Sequence, residues 1–340
     1  MPKKIVGFGE IMLRLTPFHL NERLVQTNAL QKAYAGAESN VTVALSCLGQ
    51  DTWFVTTLPD HALGDGAINS LREFGVDTRL ARRAGKRIGT YYIEHGAAMR
   101  ASRIIYDREN SAMALAPPEA YDWYQILQGK DYFHTTGITP ALSAACATAT
   151  TQAIRTAKSL GVQVSFDLNF RRSLWTQDEG RAVLLPLMEH IDVLFANTGS
   201  VADVFAIGGD LPADWQGQVE ATRAAAEALY RTQPFPLIAL TVREHLSASE
   251  NGWAGLLYDG NRFYESRKYH FHIVDRIGGG DAFTAGVLHG LCRGWDHAKT
   301  IEFATAASAL KHTIPGDLSL FSENEVLEVA EGDHSGRVKR

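Results

Sequence analysis

Asp281 follows three consecutive glycines, Gly278, Gly279 and Gly280, and opens a run to Arg293 with helical spacing of apolar residues. Glycines let main-chain N–H groups approach a ligand with no Cβ in the way. A helix N-terminus adds unpaired donors and positive partial charge, which suits an anion such as phosphate. A carboxylate beside that anion is repelled by it unless the carboxylate has a task. Accepting the proton of a hydroxyl that attacks a phosphoryl group is such a task. Capping the helix is the plainer alternative for Asp281, and both readings stand at this point.

Other chemistries lack their residues. Gly7-Phe8-Gly9 starts like a dinucleotide fingerprint, but Met12 stands where the third glycine belongs, which disfavours a dinucleotide oxidoreductase. Gly85-Lys86 and Gly129-Lys130 lack the hydroxyl residue of a phosphate loop, and neither H-E-x-x-H nor G-x-S-x-G occurs. His270 and His272 could ligate a metal, although their alternation also fits a strand with one wet face. Cys47, Cys146 and Cys292 are far apart and odd in number. They fit reduced thiols of a cytoplasmic protein better than disulfides or zinc.

The elements that must position Asp281 alternate between short apolar runs and amphipathic stretches. Strands are expected at Ile5–Phe8, Trp53–Leu58, Phe133–Thr136, Val162–Asp167, Val193–Ala196 and Leu237–Val242. Helices are expected at Ser39–Leu48 (capped by Ser39 or Asn40), Asp65–Phe74, Ser143–Leu160, Gln218–Arg231, Asp281–Arg293 and Ala298–Lys311. This rhythm predicts an α/β fold with a mainly parallel central sheet and helices on both faces. Segments 11–34 and 82–108 break it, and in the second strand follows strand with no helix, so a small β lid inserted into one domain spanning 1–340 is expected. Between Thr241 and Trp253 a long polar loop is expected, and the tail from Glu331 to Arg340 is expected to fray.

With 340 residues, a net charge of −5 and 45% hydrophobic residues, the chain has material for a large core and no polybasic footprint. Nucleic acid and anionic membrane are therefore not expected partners. No apolar run approaches the roughly 18 residues of a spanning helix, and Glu10 and Arg14 interrupt the N-terminal apolar stretch too early for a signal peptide.

The run Asp275-Arg276-Ile277-Gly278-Gly279-Gly280-Asp281-Ala282-Phe283 matches the D-x-x-G-[AG]-G-D-[AS]-F signature of the PfkB, or ribokinase-like, carbohydrate kinases, which the chain thereby resembles. Gly36 through Ala44 with Leu48-Gly49 is similar to that family's early block, with Ala35 replacing its first glycine. Asp60, Gly64-Asp65 and Gly75-Val76 add a third match. Within the family, the 2-keto-3-deoxygluconate kinases are the most similar. Gly7 through Leu15, Arg103 through Arg108, Ser111 through Leu115, Phe133 through Ser143, Asp167 through Trp175 and Gly316-Asp317 carry that likeness.

The resemblance implies a ribokinase-like fold. It also implies an activity: transfer of the ATP γ-phosphoryl group, with Mg2+, to the C6 hydroxyl of a keto-deoxy sugar acid. Asp281 would be the base and Gly278, Gly279 and Gly280 the anion hole. Arg108 and Arg171 would face the sugar acid, whose carboxylate an arginine fork suits. Tyr91 and Tyr106 would cover it, Gly36 and Asn40 would contact its hydroxyls, and Asp317 would support it. Taken singly, the arginines also fit surface ion pairs and the tyrosines ordinary packing. Asn197, Thr241 and Arg243 would serve the nucleotide, with Ala307 and Ser308 near adenine by position. Ser200 stands where the family's N-x-x-E segment has glutamate, so no metal ligand is assigned. The 241–253 segment leaves another phosphate donor open. Another sugar or sugar acid, such as the galactonate epimer or fructose, and a non-catalytic sugar-acid sensor are the alternatives. A homodimer through the lid is expected, because edge strands seek pairing.

Overall fold

The computed structural model describes residues 1–19 and 21–332. Of the tail expected to fray from Glu331, Glu331 is instead the last residue of a helix and Gly332 its C-cap, while residues 333–340 lie outside that range. The strands are β1 (Lys4–Phe8), β2 (Met12–Pro17), β3 (Leu30–Ala35), β4 (Asp51–Leu58), β5 (Ala81–Arg83), β6 (Thr90–Glu94), β7 (Arg103–Asp107), β8 (Tyr132–Thr136), β9 (Gln163–Asp167), β10 (Val193–Asn197), β11 (Leu237–His245), β12 (Glu250–Tyr258), β13 (Phe263–Glu265) and β14 (Tyr269–His272). The α-helices are α1 (Ala37–Cys47), α2 (Ala62–Arg72), α3 (Trp123–Leu127), α4 (Ile138–Ala141), α5 (Ala144–Ser159), α6 (Gln177–Leu184), α7 (Thr198–Phe205), α8 (Trp215–Thr232), α9 (Gly279–Arg293), α10 (His297–Lys311) and α11 (Glu323–Glu331).

The large sheet runs β13-β12-β11-β10-β9-β8-β1-β4-β5, with β14 on β12. From β5 to β11 all pairs are parallel, and β12 is antiparallel to β11. Both faces are covered, which is why these strands read as continuous apolar runs. Ile5, Val193, Phe195, Leu237 and Ala239 pack with Val41 and Leu45 of α1 and with Phe283 and Val287 of α9. The alternate residues Val6, Leu194, Ala196, Ile238 and Leu240 pack with α5, α7 and α8 through Ala153, Val201 and Leu229. The period of two sends neighbours to opposite faces.

A second sheet, ordered β3-β2-β6-β7, lies outside the first. No helix follows β1; the chain passes directly into β2, as the missing third glycine anticipates. On β14, Tyr269 is buried while His270 and His272 are exposed, the pattern of a strand with one wet face. All three cysteines are free.

Three expectations need correction. Helix α1 starts at Ala37, with Gly36 as its N-cap, rather than at Ser39. The Ser39 hydroxyl donates back to the Gly36 carbonyl at 2.9 Å, and the Asn40 amide is used elsewhere, so neither residue caps. Helix α2 begins at Ala62 under a His61 cap, ahead of the expected Asp65. The 241–253 segment is a hairpin, with β11 continuing to His245 and pairing antiparallel with β12. Its register sets Arg243 opposite Trp253, and the guanidinium stacks 4.6 Å from the ring centre. That contact holds polar residues in strand conformation where composition alone suggests a loop.

Candidate active site

A cavity of about 540 Å3 opens where the carboxyl ends of β1, β9 and β10 meet the small sheet. Ligand crevices of parallel sheets form at these ends, where the chain leaves each strand for the next element. Gly278 adopts φ +82, and a Cβ there would collide with the Asp317 carbonyl, so both conformation and contact require glycine. Gly278 is the N-cap of α9 and makes no side-chain cap bond. The first N–H groups after it have no partner within the helix. Gly280 faces open space, whereas Gly279 packs against the His312 ring and does not line the cavity.

Asp281 does not cap its helix. Its carboxylate accepts a hydrogen bond of 2.7 Å from the Asn40 side-chain amide, and the Asn40 carbonyl oxygen accepts one of 3.3 Å from Gly36 N–H. Burial pushes the Asp281 carboxyl up to about 8, and the charges of Asp167 and Asp317 add to this, while Asn40 and Arg171 oppose it. Asp167, at the end of β9, is pushed up to about 7 by burial.

The small sheet contributes Tyr91 and Tyr106, whose ring centres lie 6.1 Å apart. The Tyr91 hydroxyl donates to Asp317 at 2.8 Å, and Arg14 donates to the other Asp317 oxygen. Arg108 reaches the cavity already paired, with its Nη2 and Nε 2.5 and 2.9 Å from one Glu10 oxygen. Ser111 donates to the second Glu10 oxygen. Arg171 lines the cavity, is exposed, and makes no ion pair among the described residues.

Asn197, Thr241 and Arg243 also line the cavity. The side-chain oxygen of Asn197 accepts the Ser200 N–H at 3.0 Å, so Ser200 completes a helix cap and offers no carboxylate. Arg243 has like-charged neighbours, Arg276 and Arg171; burial first, and then their repulsion, pull its guanidinium down to about 10. Ala307 and Ser308 do not line the cavity. Ala307 packs beside Leu48 and Phe303, and the Ser308 hydroxyl donates to the Gly279 carbonyl at 2.8 Å, behind the turn.

The pfkB family carbohydrate kinase pattern matches residues 2–232 and 252–322. The chain belongs to this family. Over 336 residues it is 34% identical to the 2-dehydro-3-deoxygalactonokinase of Haloferax volcanii, covering 99% of each chain. The crystal structure of 2-dehydro-3-deoxygluconokinase from Thermotoga maritima superposes with a TM-score of 0.94 at 42% identity, covering 98% of this chain and 99% of that one. Fructokinase from Vibrio cholerae, in its fructose-, ADP- and calcium-bound form, gives a TM-score of 0.77 at 21% identity over 96% and 98% of the two chains. At that identity it shows a shared fold.

For a carbohydrate kinase the cavity has a workable division. Asp281 and the start of α9 share its lining with the tyrosines of the small sheet and with the arginines beside the β11–β12 hairpin. Sequence reasoning missed four cavity or supporting residues, namely Glu10, Arg14, Asp167 and Arg276. Arg276 sits inside the glycine signature itself, which was the available signal. Glu10, Arg14 and Asp167 sit inside the matched segments Gly7 through Leu15 and Asp167 through Trp175, but the ion pairs of Glu10 and Arg14 depend on partners far along the chain.

Proposed function

We propose that this kinase phosphorylates 2-keto-3-deoxy-D-gluconate at its C6 hydroxyl with ATP. The carrying observation is Arg171, an arginine without an ion-pair partner among the described residues, in the cavity that Asp281 shares. A free planar guanidinium matches the carboxylate end of a sugar acid with two parallel charge-assisted hydrogen bonds, whereas a neutral sugar offers it only hydroxyl and ring oxygens. The names of the two more similar relatives support the same class.

In this reading Tyr91 and Tyr106 cover the sugar acid, Gly36 and Asn40 meet its hydroxyls, and Asp317 backs the cover through Tyr91. Asn40 orients the Asp281 carboxylate. The attacking hydroxyl gives its proton to Asp281 as its oxygen bonds to the γ-phosphorus. The bond from that phosphorus to the β-phosphate oxygen breaks, and ADP leaves with the electron pair. The N–H groups at the start of α9 take the charge on the equatorial oxygens. Arg243 and Arg276 hold the remaining phosphates, near Thr241 and Asn197. Closure of the small sheet as a lid keeps water from intercepting the phosphoryl group.

No cluster of three or more His, Cys, Asp or Glu among the described residues forms a metal cage. This fits Mg2+, which keeps several waters and takes one or two carboxylates besides phosphate oxygens. Asp167 is the cavity carboxylate that would hold the ion, which would neutralise phosphate charge.

The galactonate epimer is the second reading, favoured by the Haloferax relative's name. An ADP-release assay with Mg-ATP and 2-keto-3-deoxygluconate, its galactonate epimer, gluconate, fructose and ribose tests both. Turnover on fructose or ribose would discard the arginine argument, and sugar-acid binding without turnover would favour a sensor. Ile104, Ile105 and Tyr106 are exposed on the edge strand β7, and we propose pairing of two copies there, which sedimentation would test.

A further inference from the structure

Lys311 ends α10 with no exposed surface, a costly place for an ammonium group. Its Nζ donates to the main-chain carbonyl of Asp275 at 3.0 Å, where the chain enters the turn that leads to Gly278. The end of α10 grips this turn twice more: Ser308 donates to the Gly279 carbonyl, and the His312 carbonyl accepts Val274 N–H at 2.8 Å.

Around Lys311 lies a buried layer of charge. Arg14 pairs with Asp275 at 2.5 Å and also with Asp317. The Asp275 carboxylate further accepts the Ile277 and Gly316 N–H groups, each at 3.1 Å. Burial alone would raise the Asp275 carboxyl, but Arg14 and Lys311 hold it below its ordinary value, so it is charged. Burial lowers His95, which leaves its ring neutral near pH 7. Burial also lowers the Lys311 ammonium from its ordinary value, and Asp275 and Asp317 oppose that by favouring its charged form. With Lys311 protonated, the layer sets two cations, Arg14 and Lys311, against two carboxylates, Asp275 and Asp317. Without Lys311 it would carry net negative charge directly behind the turn, unscreened by salt.

We infer that Lys311 is a positioning residue for phosphoryl transfer, its buried ammonium cancelling carboxylate charge behind the Gly278–Gly280 turn so that the turn accepts an anionic phosphoryl group. A purely structural role would be met as well or better by an apolar residue of similar length. The inference rests on the proposed phosphoryl transfer.

The test compares Lys311→Met, Lys311→Gln, Lys311→Arg and Lys311→Ala with the wild type, with kcat and KM taken separately. The glutamine variant keeps a donor for the Asp275 carbonyl but no charge. Expected is a fall in kcat of at least about tenfold for the methionine and glutamine variants. KM for the sugar acid should stay within a few-fold of the wild type, and the arginine variant should retain more activity than the glutamine one. Ethylammonium should restore part of the alanine variant's kcat and leave the wild type unchanged. ADP with aluminium fluoride, a planar phosphoryl mimic, should inhibit the neutral variants less tightly. If the methionine variant fails to fold, the glutamine and arginine pair decides, with equal kcat in the two overturning the inference. Wild-type kcat in a folded neutral variant overturns it as well. A wild type that turns over none of the five sugars overturns the phosphoryl-transfer reading, and this inference with it.

Discussion

The Asn40 side-chain amide donates to the Asp281 carboxylate across 2.7 Å, joining the first turns of α1 and α9 at the base of the cavity. The bond stabilises the charged carboxylate against burial and against the charges of Asp167 and Asp317. Asn40→Ala should therefore raise the Asp281 pKa further and free its orientation. At pH 7 we expect kcat to fall about tenfold or more, with much of the loss recovered at pH 9. A loss equal at both pH values would refute the role in ionisation.

Asp281→Asn keeps the shape and removes the base. General-base catalysis contributes roughly 10²- to 10⁴-fold, so a loss of that order is expected, with calorimetric affinity for ATP and sugar acid near that of the wild type. Near-normal turnover would remove Asp281 from the reaction.

The same substitution should act on stability in the opposite direction. The folded-state pKa of Asp281, about 8, lies above the ordinary aspartate value. The stability contributed by the protonated form is complete below the unfolded-state pKa and is lost as pH rises through about 8. At pH 8.5 the wild type bears a charged carboxylate in a poorly solvated place, and Asp281→Asn does not. The variant should be more stable there by roughly 0.5–2 kcal/mol, and the difference in melting temperature should grow with pH between 6 and 9. The acid limb of wild-type kcat/KM should likewise lie well above the range of an ordinary carboxylate.

Arg108 and Arg171 should separate by phenotype. Arg108→Met strands the buried Glu10 carboxylate, a loss of about 3–5 kcal/mol for a broken buried pair. Arg171 is exposed, so Arg171→Ala should move stability by about 0.5 kcal/mol or less while raising KM for the sugar acid at least about tenfold. Denaturant titration and steady-state kinetics on the two variants check this.

Arg243 is held close to two other arginines without a carboxylate partner among the described residues. Inorganic tripolyphosphate should relieve this repulsion and raise the melting temperature of the wild type. Arg243→Met should diminish that rise and increase KM for ATP. An unchanged response to tripolyphosphate would place the phosphates elsewhere.

The sequence by itself determined the parts that depend on near neighbours. Short continuous apolar runs specified the strands of the parallel sheet, and Ser143 specified the start of α5, where its hydroxyl accepts Cys146 N–H. Three glycines before Asp281 marked the turn into α9, because the left-handed backbone at Gly278 is a local requirement. Tertiary structure decided what each side chain meets. Asn40 and Asp281 are 241 positions apart, and Arg14 and Asp317 are 303 apart. No spacing rule reaches that far. Arg108 was legible as an arginine near the site, but its neutralisation by Glu10 arises only when β1 and β7 are folded together. The hairpin at 241–253 was hidden for the same reason: its polar residues are held by Trp253 and the cavity. Charges and their partners belong to distant strands brought to one edge of the sheet, so pKa values, pairing and the buried layer around Lys311 are properties of the fold.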